Sequence, residues 1–161
     1  MSKIAFIGCG SMAEAMISGI IANDYVQPNQ IIIMNKTNQE RRKELIGKYG
    51  IQATTDYEQL LQDASIVILA VKPQHIFEAL TAAKPYINTE MLILSVAAGI
   101  TTGTIEEILG DAVPVIRSMP NTSAAVGKSA TAMSVNRHTT EKQTEKAKAL
   151  LETFGNAIIV E

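Results

Sequence analysis

Short runs that are apolar on both faces alternate with helix-like stretches along most of this chain. The runs are KIAFIG (3–8), QIIIM (30–34), SIVILAV (65–71), MLILSV (91–96) and VPVIRSM (113–119). Stretches with helical spacing lie near 11–22, 38–48, 57–63, 74–84 and 102–109. A strand without a polar face must be covered on both sides, which parallel strands joined by crossover helices achieve. The alternation therefore predicts an α/β fold with a doubly wound, mostly parallel sheet and right-handed crossovers. A short run at 51–54 predicts an added edge strand. After 119 the rhythm changes: PNTSAAVGKSATAMSVN reads as a loop and then a strand of small residues, TEKQTEKAKALLETF as a charged amphipathic helix, and NAIIVE as a last strand. Extra strands are thus expected after the sixth. No linker, repeat or low-complexity segment interrupts the pattern, so residues 1–161 are expected to form one domain.

The opening stretch IAFIGCGSMAEAM (4–16) carries the first chemical signal. Gly8-Cys9-Gly10-Ser11-Met12-Ala13 follows a predicted strand and opens a predicted helix, the setting in which GxGxx(G/A) points to a Rossmann-like dinucleotide loop. Gly8 would permit the tight turn, Gly10 the approach of a pyrophosphate to the backbone, and Ala13 close helix–strand packing. The helix N-terminus would add free N–H donors and a partial positive charge. The alternative is a glycine turn that binds nothing. Cys9, inside the loop, reads as a small filler, because no histidine lies near it in sequence to activate a thiolate.

The nucleotide is read at the end of the second strand. There Met34 is followed by Asn35, Lys36 and Thr37, and no carboxylate stands where one would bond a ribose 2′-hydroxyl. Asn, Lys and Thr can bond a 2′-phosphate instead, which favours NADP(H). Lys36, Arg41 and Arg42 can equally be a solvated helix face, and for Arg42 that is the expected role.

Bulk composition narrows the class further. With 47% hydrophobic and 19% charged residues the chain can bury a core and is not expected to be disordered. A net charge of −2 gives no basic field for nucleic acid or an anionic membrane. One cysteine allows no internal disulfide, no apolar run approaches the ~20 residues of a membrane span, and Lys3 leads straight into a strand. A cytoplasmic, soluble protein is expected. One cysteine and two distant histidines, His75 and His138, offer no metal-ligand spacing. Both histidines read as surface or capping residues, and Glu141, Glu145 and Glu152 as a solvated helix face with i,i+4 partners.

Three later segments fall at predicted strand ends, where open α/β sheets bind ligands. They are Ala70-Val71-Lys72-Pro73-Gln74, Ser95-Val96-Ala97-Ala98-Gly99-Ile100 and Arg117-Ser118-Met119-Pro120-Asn121-Thr122. Together with IGCGSMAEAM they resemble the N-terminal domain of pyrroline-5-carboxylate reductase, the last enzyme of proline biosynthesis, over all 161 residues. The resemblance implies an oxidoreductase that transfers hydride from NADPH to a C=N carbon of a small cyclic imino acid. It implies that Gly8, Gly10, Ser11, Met12 and Ala13 line the pyrophosphate and that Asn35, Lys36 and Thr37 hold the 2′-phosphate. Ala70, Val71, Lys72 and Pro73 would lie along the ribose and nicotinamide, with Ala97, Ala98 and Gly99 close by. Met119, Pro120, Asn121 and Thr122 would border the nicotinamide on the substrate side. Pro73 and Pro120 also suit helix or loop starts, and Lys72 a plain surface position.

Lys36 stands where the family often has arginine, and Ser123 where a proline is common. The family also carries a second, helical domain that forms a homo-oligomer and supplies much of the imino-acid site; no counterpart follows Glu161. The apolar NAIIVE end suggests a shortened chain, with little or no turnover alone. Two other readings stay open: a non-catalytic NADP-binding sensor or regulatory module, and a related imine or β-hydroxyacid dehydrogenase, against which MPNT argues.

Overall fold

The computed structural model describes residues 3–110, 112–119 and 129–159. Eight strands make one sheet: β1 (Lys3–Ile7), β2 (Ile31–Met34), β3 (Gln52–Thr54), β4 (Ala64–Leu69), β5 (Leu92–Ser95), β6 (Val115–Met119), β7 (Ser129–Val135) and β8 (Gly155–Ile159). Their order is β3-β2-β1-β4-β5-β6-β7-β8. The first six strands run parallel, as expected for the apolar runs of β1, β2, β4, β5 and β6, with β3 as the short added edge. β7 pairs antiparallel to β6, and β8 pairs parallel to β7, so the last two strands both run against the other six. The helices are α1 (Ser11–Ala22), α2 (Gln39–Tyr49), α3 (Tyr57–Leu61), α4 (Ile76–Ala83), α5 (Thr102–Leu109) and α6 (Glu141–Leu151).

Alternation along the central strand divides the core. Ile4 and Phe6 of β1 face one cluster with Met16, Ile17 and Ile20 of α1 and Leu150 of α6. Ala5 and Ile7 face the other, with Leu60 of α3, Leu80 of α4 and Ile105 of α5. Every one of these side chains is at most 2% exposed, so neither face of β1 is left to water. Chain reversal around β1, whose neighbours β2 and β4 lead away in opposite directions, creates the crevice at which such sheets take ligands.

Element ends follow local chemistry. The stretch expected as a strand to residue 71 stops at Leu69, and the expected helix 74–84 is a 3-10 turn at Pro73–His75, then α4, then a second turn at Lys84–Tyr86. Pro73 at the first position of one turn and Pro85 at the second position of the other set the backbone for entry but supply no N–H. Side chains cap α2, α3, α5 and α6: Asn38, Asp56, Thr101 and Thr140 each accept a bond from a first-turn N–H. At the far end of α1, Asn23 Nδ2 donates to the Thr153 carbonyl at 2.7 Å and the Tyr25 hydroxyl to the Lys146 carbonyl at 3.1 Å, tying the first helix to the last. No helix among the described residues is long and apolar enough to cross a membrane.

Candidate functional site

β1 delivers Gly8 and Gly10 to the crevice for two separate reasons. Gly8 has φ +104°, and a Cβ there would sit 2.6 Å from the Ala70 carbonyl oxygen. The loops after β1 and β4 therefore touch through it, and its glycine serves the protein's own packing. Gly10, the residue capping α1, has φ −79° and ψ −164°, which any residue can adopt. A Cβ on it would meet nothing within 4 Å. The space in front of Gly10 is thus open, and no side chain caps the twelve-residue helix behind it. Ala13 is 1% exposed against the core, as the close-packing role requires, Met12 packs beside it, and Ser11 is exposed.

The residues after β2 are differently arranged from expectation. Asn35 Oδ1 accepts from the backbone N–H of Thr37 at 3.1 Å and of Asn38 at 2.8 Å, while its Nδ2 donates to Cys9 Sγ at 3.3 Å. Its side chain shapes the turn, leaving Lys36 and Thr37 as the exposed groups there. The Lys36 ammonium lies 5.2 Å from the centre of the Tyr57 ring. Both line a cavity of about 220 Å³ with Gly8, Met34, Val71, His75 and Glu78. Burial raises the Tyr57 hydroxyl above its ordinary pKa, with the Glu78 carboxylate adding to it.

Arg41 and Arg42 are not a solvated face. Arg41 Nε donates to the Cys9 carbonyl at 2.7 Å and its Nη2 to the Gly10 carbonyl at 3.2 Å. Its Nη1 pairs with Glu14 and with Glu44, each at 2.9 Å. Glu14 also accepts from Lys48 at 2.8 Å and from the Tyr49 hydroxyl at 2.7 Å. Those two bonds, ahead of Arg41 and against the opposing effect of burial, hold the Glu14 carboxyl down at about 2. Arg42 donates to the Asn35 carbonyl. Both arginines belong to α2, and the contact with the glycine loop spans about 30 residues of sequence, beyond anything a local pattern encodes. Asn38 alone gave a local sign: as a helix cap it fixes where α2 starts and so which way Arg41 leaves the helix.

Of the other expected residues, Ala70 donates its N–H to Ile7 (2.9 Å), Val71 lines the cavity, and Lys72 and Pro73 are exposed where the 3-10 turn begins. Ala97 is 4% exposed and packs in the core, so only its backbone can face a ligand; Ala98 and Gly99 are exposed, Gly99 with φ +75°. Met119 is 47% exposed at the end of β6, with its sulfur 3.5 Å from Arg117. Pro120, Asn121, Thr122 and Ser123 lie outside the described residues. His75 and His138 are not buried: His75 caps α4 without a side-chain bond, and His138 accepts from Arg137 at 3.3 Å. Glu141, Glu145 and Glu152 are exposed as expected, but among the described residues none forms an ion pair; the residue four after Glu141 is Glu145, a like charge.

Residues 3–99 match the model of a family described as NADP oxidoreductase, coenzyme F420-dependent. Over 161 residues the chain is 45% identical to pyrroline-5-carboxylate reductase 2 of Bacillus subtilis, and it spans 58% of that protein's length. Its fold superposes on the solved pyrroline-5-carboxylate reductase of Coxiella burnetii with a TM-score of 0.94, at 35% identity, covering 99% of this chain and 59% of that one. The Plasmodium falciparum pyrroline carboxylate reductase, solved with NADP bound, superposes with a TM-score of 0.88 over 99% of this chain and 58% of its own; at 21% identity that likeness concerns the fold.

Proposed function

The chain belongs to the family described as NADP oxidoreductase, coenzyme F420-dependent, and from that premise we propose that residues 1–161 are the NADP(H)-binding domain of a pyrroline-5-carboxylate reductase. The observation that carries the proposal is the open approach to Gly10 in front of an uncapped α1, at the point where the sheet order reverses. The fit is chemical as well as steric. Helix N–H groups favour a pyrophosphate, and the β2 end itself offers Lys36 and Thr37 and no carboxylate, the Glu78 carboxylate lining the same cavity from α4. The adenosine side would use the cavity beside Lys36 and Tyr57.

When bound, NADPH supplies the hydride, and the substrate would be a cyclic imine whose carbon is already electrophilic once the ring nitrogen carries a proton. The protein's task is then to hold and orient. Gly8, Gly10, Ser11, Met12 and Ala13 would seat the pyrophosphate, Lys36 and Thr37 the 2′-phosphate. Asn35 would keep the turn on which they stand. Ala70, Val71, Lys72 and Pro73, with the backbone at Ala97, Ala98 and Gly99, would border the ribose and nicotinamide. Met119, Pro120, Asn121 and Thr122 would form the substrate side. Positioning of this kind lowers the barrier without a strong general acid. A cytoplasmic setting, a homo-oligomeric whole protein and a small imino-acid substrate complete the proposal, in line with the relatives and with a single, buried, unpaired cysteine.

Calorimetric titration of the 161-residue chain with NADPH and, separately, NADH tests it. Tighter binding of NADPH, abolished by Gly10→Val in a chain that still folds, is the expected result. Binding of neither dinucleotide, tighter binding of NADH, or an undiminished affinity in Gly10→Val overturns it.

A further inference from the structure

Arg41 ties the glycine loop, α1 and α2 together through one side chain. Its guanidinium accepts nothing and donates to both loop carbonyls, Cys9 at 2.7 Å and Gly10 at 3.2 Å, and its remaining nitrogen is held by Glu14 and Glu44. Glu14 is in turn held by Lys48 and Tyr49, so α1, α2 and the glycine loop form one network of charge-assisted bonds. Arg41 and Glu14 are 18% and 19% exposed at the side chain, well shielded for an ion pair at a domain surface.

A trans peptide fixes what these bonds do to the ligand side. Its C=O and N–H point in opposite directions, so anchoring one aims the other. Arg41 draws the Cys9 carbonyl toward α2, which turns the Gly10 N–H of the same peptide away from it; the Gly10 carbonyl is held jointly by Arg41 and by the Glu14 N–H of α1 at 3.0 Å, which sets the Ser11 N–H of that peptide. We propose that Arg41, locked by Glu14, is a positioning residue that aims the loop's N–H donors at the pyrophosphate, and that it is not a ligand of the 2′-phosphate. The inference rests on the nucleotide reading above and assigns a role to a residue that the sequence alone offers only as part of a solvated helix face. A pyrophosphate is common to NADPH and NADH, so the device serves both dinucleotides alike.

The test is a titration of the 161-residue chain and its Arg41→Lys and Glu14→Gln variants with NADPH and NADH, at a temperature where circular dichroism shows each to be folded. Lysine keeps the charge but cannot fork onto two carbonyls. Arg41→Lys is expected to weaken both dinucleotides about tenfold and equally, leaving their ratio at the parent's value. Glu14→Gln, which leaves Arg41 in place with Glu44 as its remaining charged partner, weakens both in the same proportion by a smaller factor, and it decides the matter if Arg41→Lys does not fold. A selective loss of NADPH makes Arg41 a 2′-phosphate ligand and overturns the inference. Unchanged affinity in a folded variant makes the network structural only and overturns it as well. A parent chain that binds neither dinucleotide overturns the nucleotide reading itself, and this inference with it.

Discussion

Gly8 and Gly10 stand two residues apart, and their replacements should fail in opposite ways. An alanine at Gly8 places a methyl 2.6 Å from the Ala70 carbonyl on a backbone at φ +104°. Overpacking and left-handed strain together are expected to cost about 2–4 kcal/mol, read as a lower midpoint in urea unfolding. A Cβ at Gly10 meets no atom within 4 Å and sits on ordinary extended backbone, so Gly10→Val should leave the unfolding free energy within about 1 kcal/mol of the parent's. Its effect belongs to the ligand alone. A Gly8→Ala chain as stable as the parent would show that the β1 and β4 loops can separate without penalty. The sequence itself set the tight turn at Gly8 apart from the approach of a ligand at Gly10. What it did not carry is the contact that makes Gly8 obligatory, the short distance to Ala70, 62 residues later in the chain.

The reversal from β6 to β7 is fixed by one side chain between elements. Asn136 is 8% exposed; its Oδ1 accepts from the Val115 N–H at 3.0 Å and its Nδ2 donates to the Val113 carbonyl at 2.9 Å and to Glu106 at 3.1 Å. Its own N–H donates to the Val115 carbonyl, so the first residue of β6 is bracketed on both sides. Asn136→Ala strips partners from buried backbone groups and is expected to cost about 2–3 kcal/mol, lowering Tm by roughly 5–10 °C in a chain of this size. A Tm within a degree of the parent's would mean that water replaces the bracket. Elements that bury both faces announced themselves through composition, as IVIL and LIL did. The direction of β7 did not, because small residues such as Ser129-Ala130-Thr131-Ala132 carry no two-sided apolar signature and suit either direction.

At the scale of the whole molecule the charged network between α1 and α2 links stability to acid. The Glu14 carboxyl lies at about 2 in the folded chain and near its ordinary 4.5 when unfolded, so its contribution is complete above about pH 5 and is lost as pH falls toward 2. Acid titration of unfolding free energy should therefore fall more steeply for the parent than for Glu14→Gln across that window, by about 3 kcal/mol at most. Equal slopes would show that Glu14 is as low in the unfolded chain. The doubly wound order was legible because helices and strands alternate and crossovers are right-handed; the network was not, since Glu14, Arg41 and Lys48 are ordinary surface residues until two helices meet. The same holds for the bonds from Asn23 to Thr153 and from Tyr25 to Lys146, which join residues 130 and 121 positions apart. During synthesis the glycine loop leaves the ribosome well before residues near 150, yet the helix behind it gains its last support only when those have followed. The part of the candidate site made first is thus among the last to be held in place, and a nascent chain must keep α1 from other partners until α6 and the turn after it arrive.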